Sequence, residues 1–193
     1  DAVETKHIID VFQRIALAHA DLHFTMYNNN QLVFDLPKAA LRQRIINVFG
    51  KKYNERLVPI EEQTSITEIS GFIIKPEHSK KTRGEQFFFV NNRFIKSPYL
   101  NHAINQAYHE LISKDQFPSY FIFLKIPKDT IDINIHPTKT EIKFQDERAI
   151  YAIVRSTVKS SLGKYSISPS LDFNQETSFN IKPLQPGQAI EPP

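Results

Sequence analysis

The stretch Tyr120-Phe-Ile-Phe-Leu-Lys-Ile126 most constrains what this chain can fold into. It is nearly all apolar, too short for a typical helix, and shows no polar alternation, so it reads as a central strand buried on both faces. Gln86–Val90, dense in phenylalanine, reads as a second strand. Between them, Ser97-Pro98 supplies an N-cap and a proline at the first helical position. The helix so opened spans 98–113 and places Leu100, Ala103, Ile104, Ala107 and Leu111 on one face. Strand, helix, strand implies a crossover, and the expected class is α+β, a mixed β-sheet with helices on one face.

The remaining segments fill in that frame. Residues 4–20 place Ile8, Phe12, Ile15 and His19 on one helical face. Leu22, Phe24 and Met26, then Leu32, Phe34 and Leu36, alternate around Asn28-Asn-Asn30. Asparagine tolerates positive φ, so this is a strand hairpin. Residues 39–49 read as a short helix with Leu41, Ile45 and Val48 inward and Gly50 as its stop. Strand-like runs follow at about 56–62 and 64–75, with Pro59 marking a sheet edge. Asp146 caps a last helix that turns Ile150, Val154, Val158 and Leu162 inward and stops at Gly163. From there the composition changes: five of the twelve prolines fall in the last 25 residues. The expected organisation is one domain over 1–165, with 1–20 as a leading helix, and a proline-rich, largely disordered linker over 166–193.

The segment 131–144 carries the most specific pattern. Ile131, Ile133 and Ile135 alternate with Asp132 and Asn134 as in a strand with one buried face. His136-Pro137 interrupts it, because proline fixes φ and lacks a ladder N–H. Ile142 and Phe144 resume the alternation. The reading is strand, rigid knuckle, strand, with Thr138 and Lys139 presented at the knuckle. A lysine there suits a point charge offered to a phosphate oxygen, and a solvated loop lysine is the alternative.

A second grouping is basic. Arg93 and Lys96 follow the phenylalanine strand, while Lys75, Lys80, Lys81 and Arg83 populate the loop before it. If turn and loop are neighbours, they form a patch for phosphate backbone without base specificity. An ordinary solvated surface is the alternative for the 75–83 loop.

Asn134-Ile-His-Pro-Thr-Lys-Thr-Glu-Ile-Lys-Phe144 resembles the N-V-H-P-x-K-x-E-V-x-F signature of the MutL family of DNA mismatch repair proteins. Val90-Asn-Asn-Arg-Phe-Ile95 followed by Asn101-His-Ala-Ile104 resembles that family's V-N-G-R stretch and the helix after it, with Asn92 in place of glycine. Arg14-Ile-Ala-Leu17 extends the match, which runs through about residues 4–163. The resemblance implies the second, transducer domain of such a protein, following an ATPase domain. It implies the fold of the second domain of a small-subunit ribosomal protein (protein five), with a left-handed βαβ crossover where ordinary crossovers are right-handed. In that family the residue matching Lys139 contacts the γ-phosphate of ATP, with His136, Pro137 and Thr138 shaping the knuckle, and the arginine matching Arg93 belongs to the DNA-binding surface.

The expected partners are therefore the ATPase domain of the same chain, DNA, the mismatch-recognition protein MutS and, for the full-length protein, a second copy of itself. ATP and Mg would be held by the ATPase domain, and no cofactor by this segment. A cytoplasmic, nucleoid-associated protein with no membrane contact is expected. The chain opens on Asp1 and enters a helix pattern at once, as a piece of something longer would. Alternatives are the equivalent domain of a type II topoisomerase, or a free-standing nucleic-acid-binding module of the same fold.

Composition narrows the chemistry. The five glycines are never closer than 13 residues, so there is no phosphate cradle and the chain is expected not to hold nucleotide or to be an enzyme by itself. It has no cysteine, hence no thiolate nucleophile or thiolate metal site. The seven histidines are spread along the chain and read as core or surface residues, not as metal ligands. A net charge of +3 is too mild to argue for nucleic acid except through clustering.

Overall fold

The computed structural model describes residues 2–132 and 140–167. The chain runs through helix α1 (Ala2–Ala18), a hairpin of β1 (Phe24–Asn28) and β2 (Gln31–Leu36), and helix α2 (Leu41–Phe49). Then come β3 (Leu57–Gln63), β4 (Glu68–Ile74), β5 (Gln86–Val90), β6 (Arg93–Ile95), α3 (Pro98–Tyr108), β7 (Tyr120–Lys125), the short β8 (Ile131–Asp132) and β9 (Lys143–Phe144), and α4 (Glu147–Ile167). Five strands form one mixed sheet in the order β3-β4-β7-β5-β6. The only parallel pair among them is β5 with β7, joined through β6 and α3.

The run at 120–126 is the central strand, and it is buried on both sides. Ile122 and Leu124 join Phe88, Val90 and Ile73 in one core, beneath Leu100, Ala103 and Ile104 of α3 and Ile150, Val154 and Val158 of α4. Phe121, Phe87 and Phe89 face the other way, onto Leu17 of α1 and Ile45 of α2. Helices therefore cover both faces, which corrects the expectation of helices on one face. The reason is the phenylalanine repeat: alternate positions of β5 and β7 are all apolar, so neither face can be left to water.

Two hairpin turns, β1–β2 and β5–β6, are built from paired asparagines. Asn29 and Asn30 have φ of 47° and 64°, and Asn91 and Asn92 have 48° and 63°, the pair of positive values a type I′ turn requires. The hairpin β1–β2 leans on α1, where Phe12 stacks on Phe34 with ring centroids 5.3 Å apart. Arg44 ties it to α2: the guanidinium is fully buried and donates to the carbonyls of Leu36, Ala20 and Leu22.

Three further expectations differ. α3 ends at Tyr108, which is buried and donates its hydroxyl to the Ile74 carbonyl at 2.5 Å, whereas Leu111 is 46% exposed. On α1 the buried positions are Ala16 and Leu17, and Ile8 and Ile15 are 51% and 48% exposed. The helix packs by its last turn, so periodicity identified an apolar stripe without identifying what covers it. Finally, α4 continues through Gly163 to Ile167. Tyr165 finds partners beyond the glycine, since Lys75 stands 4.7 Å over its ring.

Two glycines separate these causes experimentally. Gly71 lies in β4 at φ 127°, and a Cβ there would stand 2.1 Å from the Phe121 carbonyl oxygen. Gly71→Ala should destabilise the protein by about 2–5 kcal/mol through strain and overlap combined. At Gly163 a Cβ would meet nothing within 4 Å. Because the helix runs through this position, Gly163→Ala should stabilise by about 0.5–1 kcal/mol. Urea denaturation of the two variants measures both signs.

Candidate nucleic-acid interface

β6 is three residues long and closes the sheet edge beside β5. Its alternation sends Ile95 into the α3–α4 core and Phe94 toward the α1–α2 side. The strand stops at Lys96, whose side chain is exposed and whose N–H donates to the Thr140 carbonyl at 2.7 Å. Ser97 then starts α3, its hydroxyl oxygen accepting the Leu100 N–H at 3.2 Å.

Between α1, the β5–β6 edge and the start of α3 lies a cavity of about 510 Å³. Lys96, Arg83 and Arg14 line it together, with Asp10, Asn101, His102 and Gly84. Arg14 comes from α1, about eighty positions away in the chain. Its guanidinium sits 4.1 Å over the Phe94 ring and pairs with Asp10. Arg83 lies 5.4 Å from the Phe117 ring. Three cations thus line this cavity, two of them backed by aromatic rings, and Asp10 is the one carboxylate among its lining residues. Such a concavity focuses positive potential on an anionic ligand.

The candidate residues sort by environment. Lys96 and Arg83 belong to this cavity. Arg93 is exposed at the first position of β6, at the turn end of the strand, and Lys81 is exposed in the preceding loop. Lys80 is engaged: its ammonium lies 2.5 Å from Glu85 and 3.3 Å from the Tyr53 hydroxyl. Lys75 faces α4 through Tyr165. Lys139, with His136, Pro137 and Thr138, lies outside the described residues. Their flanks are described, with Ile131 paired to Phe144 and Asp132 to Lys143.

Arg14 is the residue that reading by segments missed as a site residue. Nothing in the periodicity of α1 indicates that the helix crosses above β6; only the Phe94 ring, apolar and half-exposed on an edge strand, hinted that something cationic or apolar must cover it. Asn101 was likewise unassigned. It donates to Gln86 and to the Tyr120 hydroxyl, and burial pushes that phenol well above its ordinary range, so the network stays neutral.

Comparison with known proteins adds the following. The family described as "DNA mismatch repair protein, C-terminal domain" matches residues 45–163. The DNA mismatch repair protein MutL of Flavobacterium psychrophilum is 60% identical over 94% of this chain and 29% of its own length. That of Bacteroides fragilis is 42% identical over 100% of this chain and 31% of its own length. The chain therefore spans less than a third of these relatives. Among solved structures, the N-terminal domain of a DNA repair protein superposes with a TM-score of 0.72 at 22% identity, over 85% of this chain and 54% of that one. A MutL ATPase domain from Aquifex aeolicus, carrying a point mutation, gives 0.56 at 15% identity over 81% and 52%. Both likenesses concern the fold alone.

The Lys80–Glu85 pair gives this region a pH signature. Burial by itself would raise the Glu85 carboxyl, but Lys80's hydrogen bond and charge, with a backbone hydrogen bond, outweigh it and hold the carboxyl below its ordinary range. Burial would likewise lower Lys80, and Glu85 and Tyr53 outweigh it and raise the ammonium. A depressed carboxylate contributes stability that is present above its unfolded pKa and lost as pH falls through the folded one. A raised ammonium contributes below its unfolded pKa and loses that contribution as pH rises through the folded value. Glu85→Gln should flatten the acid limb of the stability–pH profile, below the ordinary glutamate range, and leave neutral-pH folding in place. Denaturation midpoints measured across that limb check it; an unchanged acid limb in Glu85→Gln would contradict the pairing.

Proposed function

The chain belongs to the MutL family of DNA mismatch repair proteins, and on that premise we propose that it works as a transducer, relaying the state of an ATPase domain elsewhere in the polypeptide to a DNA-binding groove. The observation that carries the DNA half is the cavity where Arg14, Arg83 and Lys96 converge. Guanidinium groups match phosphate oxygens in pairs, and lysine adds a compact point charge. No residue of that wall is placed as a reader of base edges, so binding is to the backbone and independent of sequence. Arg93 at the turn end of β6 and Lys81 in the preceding loop are exposed cations outside that cavity, while Lys80 supports the loop through Glu85.

The nucleotide half rests on the resemblance around Lys139. Lys139 meets the γ-phosphate of an ATP that the other domain holds with Mg. It adds a positive charge where negative charge accumulates, and it distinguishes ATP from ADP because ADP lacks that group. MutS and a second copy of the full-length protein are the macromolecular partners that this reading carries with it.

Two measurements on the full-length protein test the halves separately. Lys96→Glu and Arg14→Glu should each weaken duplex DNA binding and lower the slope of log affinity against log salt by about one contact. Arg14→Glu places a carboxylate beside Asp10, so its effect should be the larger. Lys139→Ala should lower ATP turnover roughly 10–150-fold, the equivalent of losing one charge-assisted contact of ~1.5–3 kcal/mol in the transition state. ADP affinity should stay at the wild-type value. Unchanged salt slopes would remove the groove from the DNA interface, and unchanged turnover would remove Lys139 from the nucleotide site.

A further inference from the structure

The two asparagines of the β5–β6 turn share a positive φ but not an environment. Asn92 is exposed, as are Asn29 and Asn30 in the turn of the first hairpin. Asn91 is half-buried, and its side chain is directed at the end of β7. Its Nδ2 donates to the Ile126 carbonyl at 2.9 Å, and its Oδ1 accepts the Ile126 N–H at 3.0 Å. The carboxamide presents a donor and an acceptor as a peptide group would. It thereby prolongs the β5–β7 ladder past the Val90–Leu124 pair, where the register ends. The first hairpin makes the same kind of turn with exposed asparagines, so turn geometry does not require these two bonds.

Ile126 begins the connection that leads to Lys139. Thr130 closes a turn there, donating its N–H and its hydroxyl to the Pro127 carbonyl at 3.1 and 2.8 Å, and its own carbonyl accepts the Gln145 N–H at 2.9 Å. Ile131 and Asp132 then pair with Phe144 and Lys143. Residues 133–139 follow in the sequence, and directly after them the Thr140 carbonyl accepts the Lys96 N–H at 2.7 Å. Asn91 and Lys96 stand on either side of β6. One short hairpin therefore holds the connection where it departs and where it returns, with Lys139 between the two grips in the chain. The grip at Lys96 uses backbone atoms alone, whereas the grip at Ile126 depends on the side chain of Asn91.

We propose that Asn91 is a positioning residue for ATP turnover: its two bonds to Ile126 fix the departure of the segment that carries Lys139, and with it the reach of that lysine. The inference rests on the reading of Lys139 as the γ-phosphate contact. Lysine carries its charge on a flexible stem, so the charge is only as well placed as the backbone that bears it. Ile126 is buried, at 4% exposure, so its N–H and carbonyl cannot simply turn to water when the carboxamide is removed. The connection then shifts until other partners are found. Asn91 touches no nucleotide; it acts through Lys139, and ADP is held as before.

The test is a double-mutant cycle in the full-length protein, read as turnover of labelled ATP at saturation. Asn91→Gly keeps the positive φ and removes both bonds. It should lower turnover roughly 5- to 30-fold with Lys139 present, and change it by less than about twofold in the Lys139→Ala background. ADP affinity should stay at the wild-type value in every variant. Asn91→Asp keeps the acceptor for the Ile126 N–H and sets a carboxylate against the Ile126 carbonyl. It gives the same comparison should Asn91→Gly fail to fold. Wild-type turnover in the folded variant would overturn the positioning role. An equal fold-loss in both backgrounds would also overturn it, and would mark Asn91 as structural. If Lys139→Ala by itself turns over ATP as wild type does, the nucleotide reading is what fails, and the role of Asn91 falls with it.

Discussion

The parallel pairing of β5 with β7 is the constraint from which the rest follows. Phe87 lies opposite Phe121 and Phe89 opposite Phe123, and the rings of each pair stack with nearly parallel planes, at 5.5 Å and 4.4 Å between centroids. The intervening positions pair Phe88 with Ile122 and Val90 with Leu124. Truncating one such phenylalanine to alanine costs about 3–5 kcal/mol by cavity formation. Both faces are thereby committed to burial, and helices must be found for each. α3 and α4 take one side, and α1 and α2 the other. Because α1 lies over the edge next to β6, Arg14 is delivered onto Phe94, and the groove follows from the way the second face is covered.

Within that frame, the available charge is set by pairing more than by composition. Lys80 and Glu85 neutralise one another beside Tyr53, and Lys75 is drawn to Tyr165. What remains toward the cavity is Lys96 and Arg83, with Arg14 paired to Asp10 and lying over the Phe94 ring. Lys96 has a second connection. Its backbone N–H reaches the carbonyl of Thr140, the residue directly after Lys139 in the chain. Under the proposed function, a displacement of the nucleotide-sensing segment is transmitted to the β6 edge through that bond, over a path of a single hydrogen bond.

Local signals were legible wherever the cause is local. The asparagine turn of the first hairpin, the Gly50 stop at φ 101°, the Ser97-Pro98 helix start and the both-faces burial of 120–126 all depend on a few adjacent residues, and the structure has them in place. What could not be read depends on partners distant in sequence. The apolar stripe of Ile8 and Ile15 looks like a buried face until one knows that α1 packs through Ala16 and Leu17. Gly163 looks like a stop because glycine ends many helices, yet α4 passes it, with Lys75 seated over the ring of Tyr165. Leu111 and Tyr108 exchange roles because a hydroxyl could reach the Ile74 carbonyl. The basic cluster was visible as a list of residues; which of them converge, and that Arg14 joins them, is tertiary information.

The central claim is that the edge formed by α1, β6 and the first turn of α3 is where this family member meets DNA. Hydrogen–deuterium exchange of the full-length protein, with and without saturating DNA, tests it most directly. The account predicts added protection in peptides covering Asp10–Leu17 and Arg93–Asn101, with none in β3, the opposite edge of the sheet. Protection centred on residues 57–63, with no change at 93–101, would contradict it.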